Sequence, residues 1–274
     1  MVPAAFFIPK KLKVCIFVKK AIDMSGHSKW STIKRKKGAL DAKRSKIFSR
    51  VIKEINVAVK EGGNDPEGNP RLRLAIANAK GVNMPKDNVQ RAISKAGDKN
   101  AADFQEVTYE AYGNFGVAIY IECLTDNLQR TVSSVRSVLN KHEGKLETKG
   151  ALSFLFDRKG VFTIPESTVK EKGMEEDDFL MEVIDAGAEE AENEEGFYTI
   201  YTAMEDFGSM VKKLEEMGVE AENAELQRIP KTTVKLDKES AQKILKMIDV
   251  LEDDDDIQNV FHNMELTDEI MASM

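Results

Sequence analysis

Nine cationic side chains lie in the 26 residues from Ser25 to Arg50: Lys29, Lys34, Arg35, Lys36, Lys37, Lys43, Arg44, Lys46 and Arg50. They face one acid, Asp41. Such a run repels itself and gains strongly from a polyanion, because each cation that neutralises a phosphate releases a condensed counterion. From Ser25 to Gly38 the only large apolar residues are Trp30 and Ile33. That is too little apolar surface to order a segment by itself, so it reads as a basic arm. Trp30 is the single tryptophan of the chain, and its ring can stack on an unpaired base. His27 adds a further candidate phosphate contact. The bland alternative is a solvated lysine-rich helix with Trp30 as a packing plug, and the arm's lack of a core weighs against it.

Catalytic chemistry has no comparable signal. The three histidines, His27, His142 and His262, are not at metal-ligand spacing, and neither Cys15 nor Cys123 has a partner. A nucleophile elbow, a P-loop and a dinucleotide fingerprint are all missing. The carboxylates come in runs, Glu175–Asp178 and Asp253–Asp256, which read as solvated surface. His142 falls in the last turn of an expected helix, where an imidazolium suits the helix dipole. No enzyme activity, metal or cofactor is expected. The cysteine usage fits a reducing, cytoplasmic compartment, and no apolar run approaches a membrane span.

The charge is divided along the chain. Residues 24–100 hold 18 Lys/Arg against 7 Asp/Glu, whereas residues 101–274 hold 17 against 39. The overall −7 therefore hides a basic module joined to an acidic body. Contact with a polyanion should be confined to one end. Arg71, Arg73, Lys80, Lys86, Arg91 and Lys95 extend the positive charge over the module's later helices, where they serve equally well to solubilise a helix pair.

The elements that must position these groups follow from periodicity. Ile47, Phe48, Val51, Ile52, Ile55 and Val59 recur at helical spacing, which predicts a helix over 40–61 stopped by Gly62-Gly63. Helices are expected over 71–80 and 86–96, the second opened by Pro85. Beyond a linker at 98–103 the pattern changes to strands. Val107–Tyr112 and Gly116–Leu124 flank the turn GNFG. A helix over 128–142 is capped by Asp126 or Asn127, and strands are expected at 145–147 and 152–156. Residues 161–229 read β-α-β-β-α-β, a split βαβ plan, and 231–266 supply one more helix and strand.

The expected fold is α+β: a small all-helical N-terminal domain and two α/β domains of split βαβ (ferredoxin-like) type. Strand counting places 161–230 as an acidic insert in a domain built from 104–160 plus 231–266, with two sequential units as the alternative. The basic helical domain is 24–103 and the tail 267–274. Residues 1–23 read as an extension outside the fold, with Met24 as the expected first residue of the native protein. Detection of a native peptide beginning before Met24 would remove that expectation.

The run from Met24, MSGHSKWSTIKRKKGALDAKRSKIF, resembles the opening signature of the YebC/PmpR family. NPRLRLAIANAKGVNMPKDNVQRAISKAG (69–97), TDNLQRT (125–131), GKLETKGALSFLFDRKG (144–160) and DDDIQNVFHN (254–263) add to the resemblance, in order. It implies a three-domain fold with one α/β domain inserted in the other, and no enzymatic activity. It also implies a regulator of gene expression, either transcriptional and DNA-binding or a translation factor on the ribosome that eases difficult nascent sequences such as proline runs. The family's mitochondrial branch includes the translational activator of cytochrome c oxidase subunit one. The expected partner is nucleic acid, DNA or ribosomal RNA, and with the latter the ribosome itself. A monomer is favoured. A protein-interaction adaptor acting through the acidic insert is a further alternative.

Overall fold

The computed structural model describes residues 41–98, 103–194, 196–267 and 270. The chain opens with three helices, α1 (Asp41–Gly62), α2 (Pro70–Gly81) and α3 (Lys86–Ala96). Val51, Ile55, Ala58 and Val59 of α1 close on Leu72, Ala75 and Ala79 of α2 and on Val89, Ala92 and Ile93 of α3. Two neighbours cover only one stripe of a helix. Ile47 and Ile52, at the flanks of the predicted apolar face, are therefore exposed. Asn69 locks the α1–α2 corner. It is buried, its Oδ1 accepts from the Leu72 N–H at 3.0 Å, and its Nδ2 donates to the carbonyls of Ala58 and Gly63.

Two four-stranded antiparallel sheets follow. The first has the order β3-β1-β2-β8, with β1 (Gln105–Tyr112), β2 (Ala118–Thr125), β3 (Lys145–Leu146) and β8 (Ile257–His262). Helices α4 (Leu128–Lys141) and α8 (Lys238–Glu252) bury Val135, Leu139, Ile244, Met247 and Ile248 against Ile119, Ile121 and Val260. Asn127 is the cap of α4, its side chain accepting from the Arg130 N–H at 3.0 Å.

The second sheet has the order β5-β6-β4-β7, from β4 (Phe156–Pro165), β5 (Ala188–Glu194), β6 (Phe197–Ala203) and β7 (Asn223–Pro230). Helices α5 (Glu166–Glu171), α6 (Glu176–Asp185) and α7 (Phe207–Met217) complete it, in the split βαβ order read from the sequence. The fold is α+β, as expected. One strand was misplaced: 153–155 is a single 3₁₀ turn, and β4 starts only at Phe156. The reason is Glu110, a buried carboxylate on β1. It accepts from the backbone N–H groups of Gly150 and Leu152 at 2.7 and 2.5 Å, which bends the chain away from a ladder. Among the described residues no helix is long and apolar enough to cross a membrane.

Candidate nucleic-acid interface

The candidate phosphate-binding residues fall into three groups. His27, Lys29, Trp30, Lys34, Arg35, Lys36 and Lys37 lie outside the described residues. Lys43 and Arg44 belong to the first turn of α1, with their side chains outside the described set. Lys46 and Arg50 are described, and both face the body of the protein.

Lys46, Arg50 and Lys53 stand at i, i+4 and i+7, one face of α1. That face lies on the end of α8 and the acidic turn after it. Lys46 Nζ donates to the Asp253 carbonyl at 3.0 Å and to its carboxylate at 2.7 Å. Arg50 Nη2 donates to the Glu252 carbonyl at 2.6 Å. These carbonyls are the last of α8, where a helix has unsatisfied acceptors and the negative end of its dipole, so cations are favoured there.

Lys53 reaches deeper. Its Nζ donates to the carbonyls of Leu124 and Asp255 at 3.2 and 2.8 Å and to Asp256 Oδ1 at 3.0 Å. The Lys53 and Asp256 side chains are 14% and 5% exposed. Arg130 meets Asp256 with two nitrogens, Nη2 donating to Oδ2 at 2.8 Å and Oδ1 at 3.0 Å and Nε to Oδ2 at 3.1 Å, and the hydroxyls of Thr125 and Thr131 donate to Oδ2 as well. Burial opposes its charge, but donation from Arg130, Lys53 and Thr131 outweighs burial and holds the Asp256 carboxyl below its ordinary range. In the sequence Asp253–Asp256 reads as solvated surface, and Lys53 has no feature that sets it apart. Nothing local marks either, because the partners lie about two hundred residues apart.

Other cations of the helical domain also reach across. Lys60 pairs with Asp103 at 3.0 Å, Arg71 with Glu106 as well as Glu61, and Lys80 with Glu220 at 3.6 Å. Glu54 is half-buried in the same region. Its burial and the Glu225 carboxylate push its pKa up to about 7, against the opposing pull of Arg71 and Arg50. On α3 Lys86 and Lys95 are exposed and make no ion pair among the described residues. Arg91 there is tied to its own helix by Asp87 and Asn88. Part of the positive charge of residues 24–100 is thus matched inside the molecule. No cluster of metal-ligating side chains occurs among the described residues, and Cys123 is buried, its thiol pushed up to about 12 by burial and then by Asp254 and Asp256.

Residues 28–99 match the model of the TACO1/YebC protein N-terminal domain, and residues 104–264 match that of the TACO1/YebC second and third domain. The chain belongs to the TACO1/YebC family. A relative from Amoebophilus asiaticus, named "Probable transcriptional regulatory protein", is 51% identical over 243 residues, covering 88% of this chain and 98% of its own. One of the same name from Clostridium botulinum is 48% identical over 88% of this chain and 97% of its own. A conserved hypothetical protein from Aquifex aeolicus, solved by crystallography, superposes with a TM-score of 0.74 at 44% identity, over 84% of this chain and 93% of that one. TACO1/YebC membership agrees with the resemblance read from the signature at Met24.

Proposed function

We propose that this protein is a non-enzymatic regulator of gene expression that binds nucleic acid through the arm and the start of α1. The observation that carries the reading is the distribution of charge along the sequence, set against the ion pairs of α1. Lys29, Lys34, Arg35, Lys36 and Lys37 precede α1 with no acid between Ser25 and Leu40, whereas Lys46, Arg50 and Lys53 are matched on the turn after α8. In this reading Lys29, Lys34–Lys37, Lys43 and Arg44 carry phosphate contact, with Trp30 and His27 beside bases or backbone. Lys46 and Arg50 orient the helical domain. The names of the relatives, probable transcriptional regulatory proteins, support DNA as the target.

A second reading, a translation factor on ribosomal RNA, is favoured by one feature of the body: Phe115, exposed in the turn between β1 and β2 and suited to an unpaired base. Crosslinking the protein in growing cells, then sequencing attached RNA and DNA in parallel, separates the two. Reads concentrated on promoter DNA support transcription. Reads concentrated on ribosomal RNA support translation. Recovery of neither above background contradicts both.

A further inference from the structure

The turn between β1 and β2 holds Phe115 at φ +62, in the left-handed region, with 42% of its surface exposed. A bulky side chain there is strained, and a glycine would relieve it. The turn is also braced on both sides. Asn114 accepts from the Phe115 N–H at 3.1 Å and donates to Glu143 at 2.5 Å. Gly113 is wedged between Met247, Ile119 and Ile244, so tightly that an added Cβ would lie 2.9 Å from the Met247 methyl. The ring therefore projects from a fixed mount.

A cation stands beside the ring. Lys243 of α8 sets its Nζ 6.0 Å from the Phe115 centroid. Lys145 pairs in register with Tyr112 at the same end of the sheet, and Lys141 closes α4 just before Glu143. Two acids share the spot, Glu143 bonded to Asn114 and Glu147 paired with Lys145 at 2.9 Å, so Lys243 is the cation that stands over the ring, on a body that is strongly acidic. The spot lies at the far end of β2 from Leu124, the residue that Lys53 grips, about 25 Å away along an extended strand.

We propose that this hairpin tip is a second nucleic-acid contact, where Phe115 stacks on an unpaired base and Lys243 meets the adjoining phosphate. The proposal rests on the nucleic-acid reading above and narrows it to targets with unpaired nucleotides, such as the loops of a structured RNA. Duplex DNA keeps its bases stacked within and offers the ring nothing. A base–aromatic stack beside a cation is the recurring chemistry of single-strand recognition.

The test compares a stem-loop RNA, the same stem closed without unpaired nucleotides, and duplex DNA, by fluorescence anisotropy with the full chain. Phe115→Gly removes the ring and suits the backbone, so its melting temperature should not fall. Its affinity for the stem-loop should fall roughly tenfold or more, with the closed stem and the duplex unchanged. Phe115→Trp should keep the stem-loop affinity. Lys243→Gln should lower the salt slope on the stem-loop by about one unit. Wild-type affinity in Phe115→Gly, or an equal loss on all three probes, overturns the proposal. If Lys34, Arg35, Lys36 and Lys37 changed together to Ala abolish binding while Phe115→Gly is silent, only the tip falls. If the wild-type chain binds none of the probes, the nucleic-acid reading falls with it.

Discussion

The helical domain meets its two neighbours by different physics. Against the first sheet it offers charge: Lys46, Arg50 and Lys53 grip the end of α8 and the turn at Asp253–Asp256. Against the second sheet it offers shape. Gly81 at the end of α2 lies so close to Glu222 that an added Cβ would sit 1.8 Å from the Glu222 carbonyl oxygen. Beside it Asn78 imitates a backbone pair, donating to the Ala224 carbonyl at 3.0 Å and accepting from the Ala224 N–H at 3.2 Å on β7. Leu74 adds an apolar contact to the core of that unit. The charged junction is directional and matches cations that a phosphate would otherwise attract. The close-packed one rests on a glycine, an asparagine, a leucine and a strand edge, with the exposed Lys80–Glu220 pair beside it. A basic block in a sequence can therefore serve two ends, and only its unmatched portion is available to a polyanion.

The largest effect should come from the centre of the charged junction. Asp256→Ala leaves Lys53 without its buried partner and should cost about 3–5 kcal/mol in chemical denaturation. The acid side of the same site is predicted by its pKa. The folded-state value lies below the ordinary 3.8, so the stability that Asp256 contributes is present above that pH and is lost as pH falls through the folded value. The wild-type protein should lose this part of its stability in acid, and Asp256→Ala should not.

Gly81→Ala tests the shape junction. It should cost about 1–3 kcal/mol by overpacking, with no dependence on salt. A cost that shrinks in high salt would mean that this contact, too, is electrostatic.

Glu54 sits near both junctions and gives an effect of opposite sign to that of Asp256. Its pKa is raised from 4.5 to about 7, so the stability it contributes is present below the unfolded value and is lost as pH rises through about 7. Glu54→Gln should flatten the decline between these limits when melting temperature is followed against pH. Lys46→Ala should matter least, under about 1 kcal/mol, because the Lys46 and Asp253 side chains are 38% and 71% exposed and water screens the pair.

Much of the architecture was legible from local signals. Helical period marked α1, α2 and α3, Pro85 marked the start of α3, and the alternation after Gln105 marked strands. The split βαβ order of 161–229 followed from element order alone. What could not be read depended on distant partners. The stretch at Leu152 looks like a strand, yet Glu110 on β1 turns it aside. The run at Asp253–Asp256 looks like solvated surface, yet Asp256 is 5% exposed because Lys53 and Arg130 reach it from other elements. Lys46 and Arg50 have the residue type and spacing for phosphate, but spacing gives a helix face and does not say what lies opposite.

The salt dependence of RNA and DNA binding tests the central claim most directly, measured for the wild-type chain and two variants. In one, Lys34, Arg35, Lys36 and Lys37 become Ala. In the other, Lys46 and Arg50 do. The account predicts that the arm variant lowers the slope of log affinity against log salt by roughly 3–4 units, while the junction variant leaves it within about half a unit. An unchanged slope in the arm variant, or a drop of about two units in the junction variant, would contradict it.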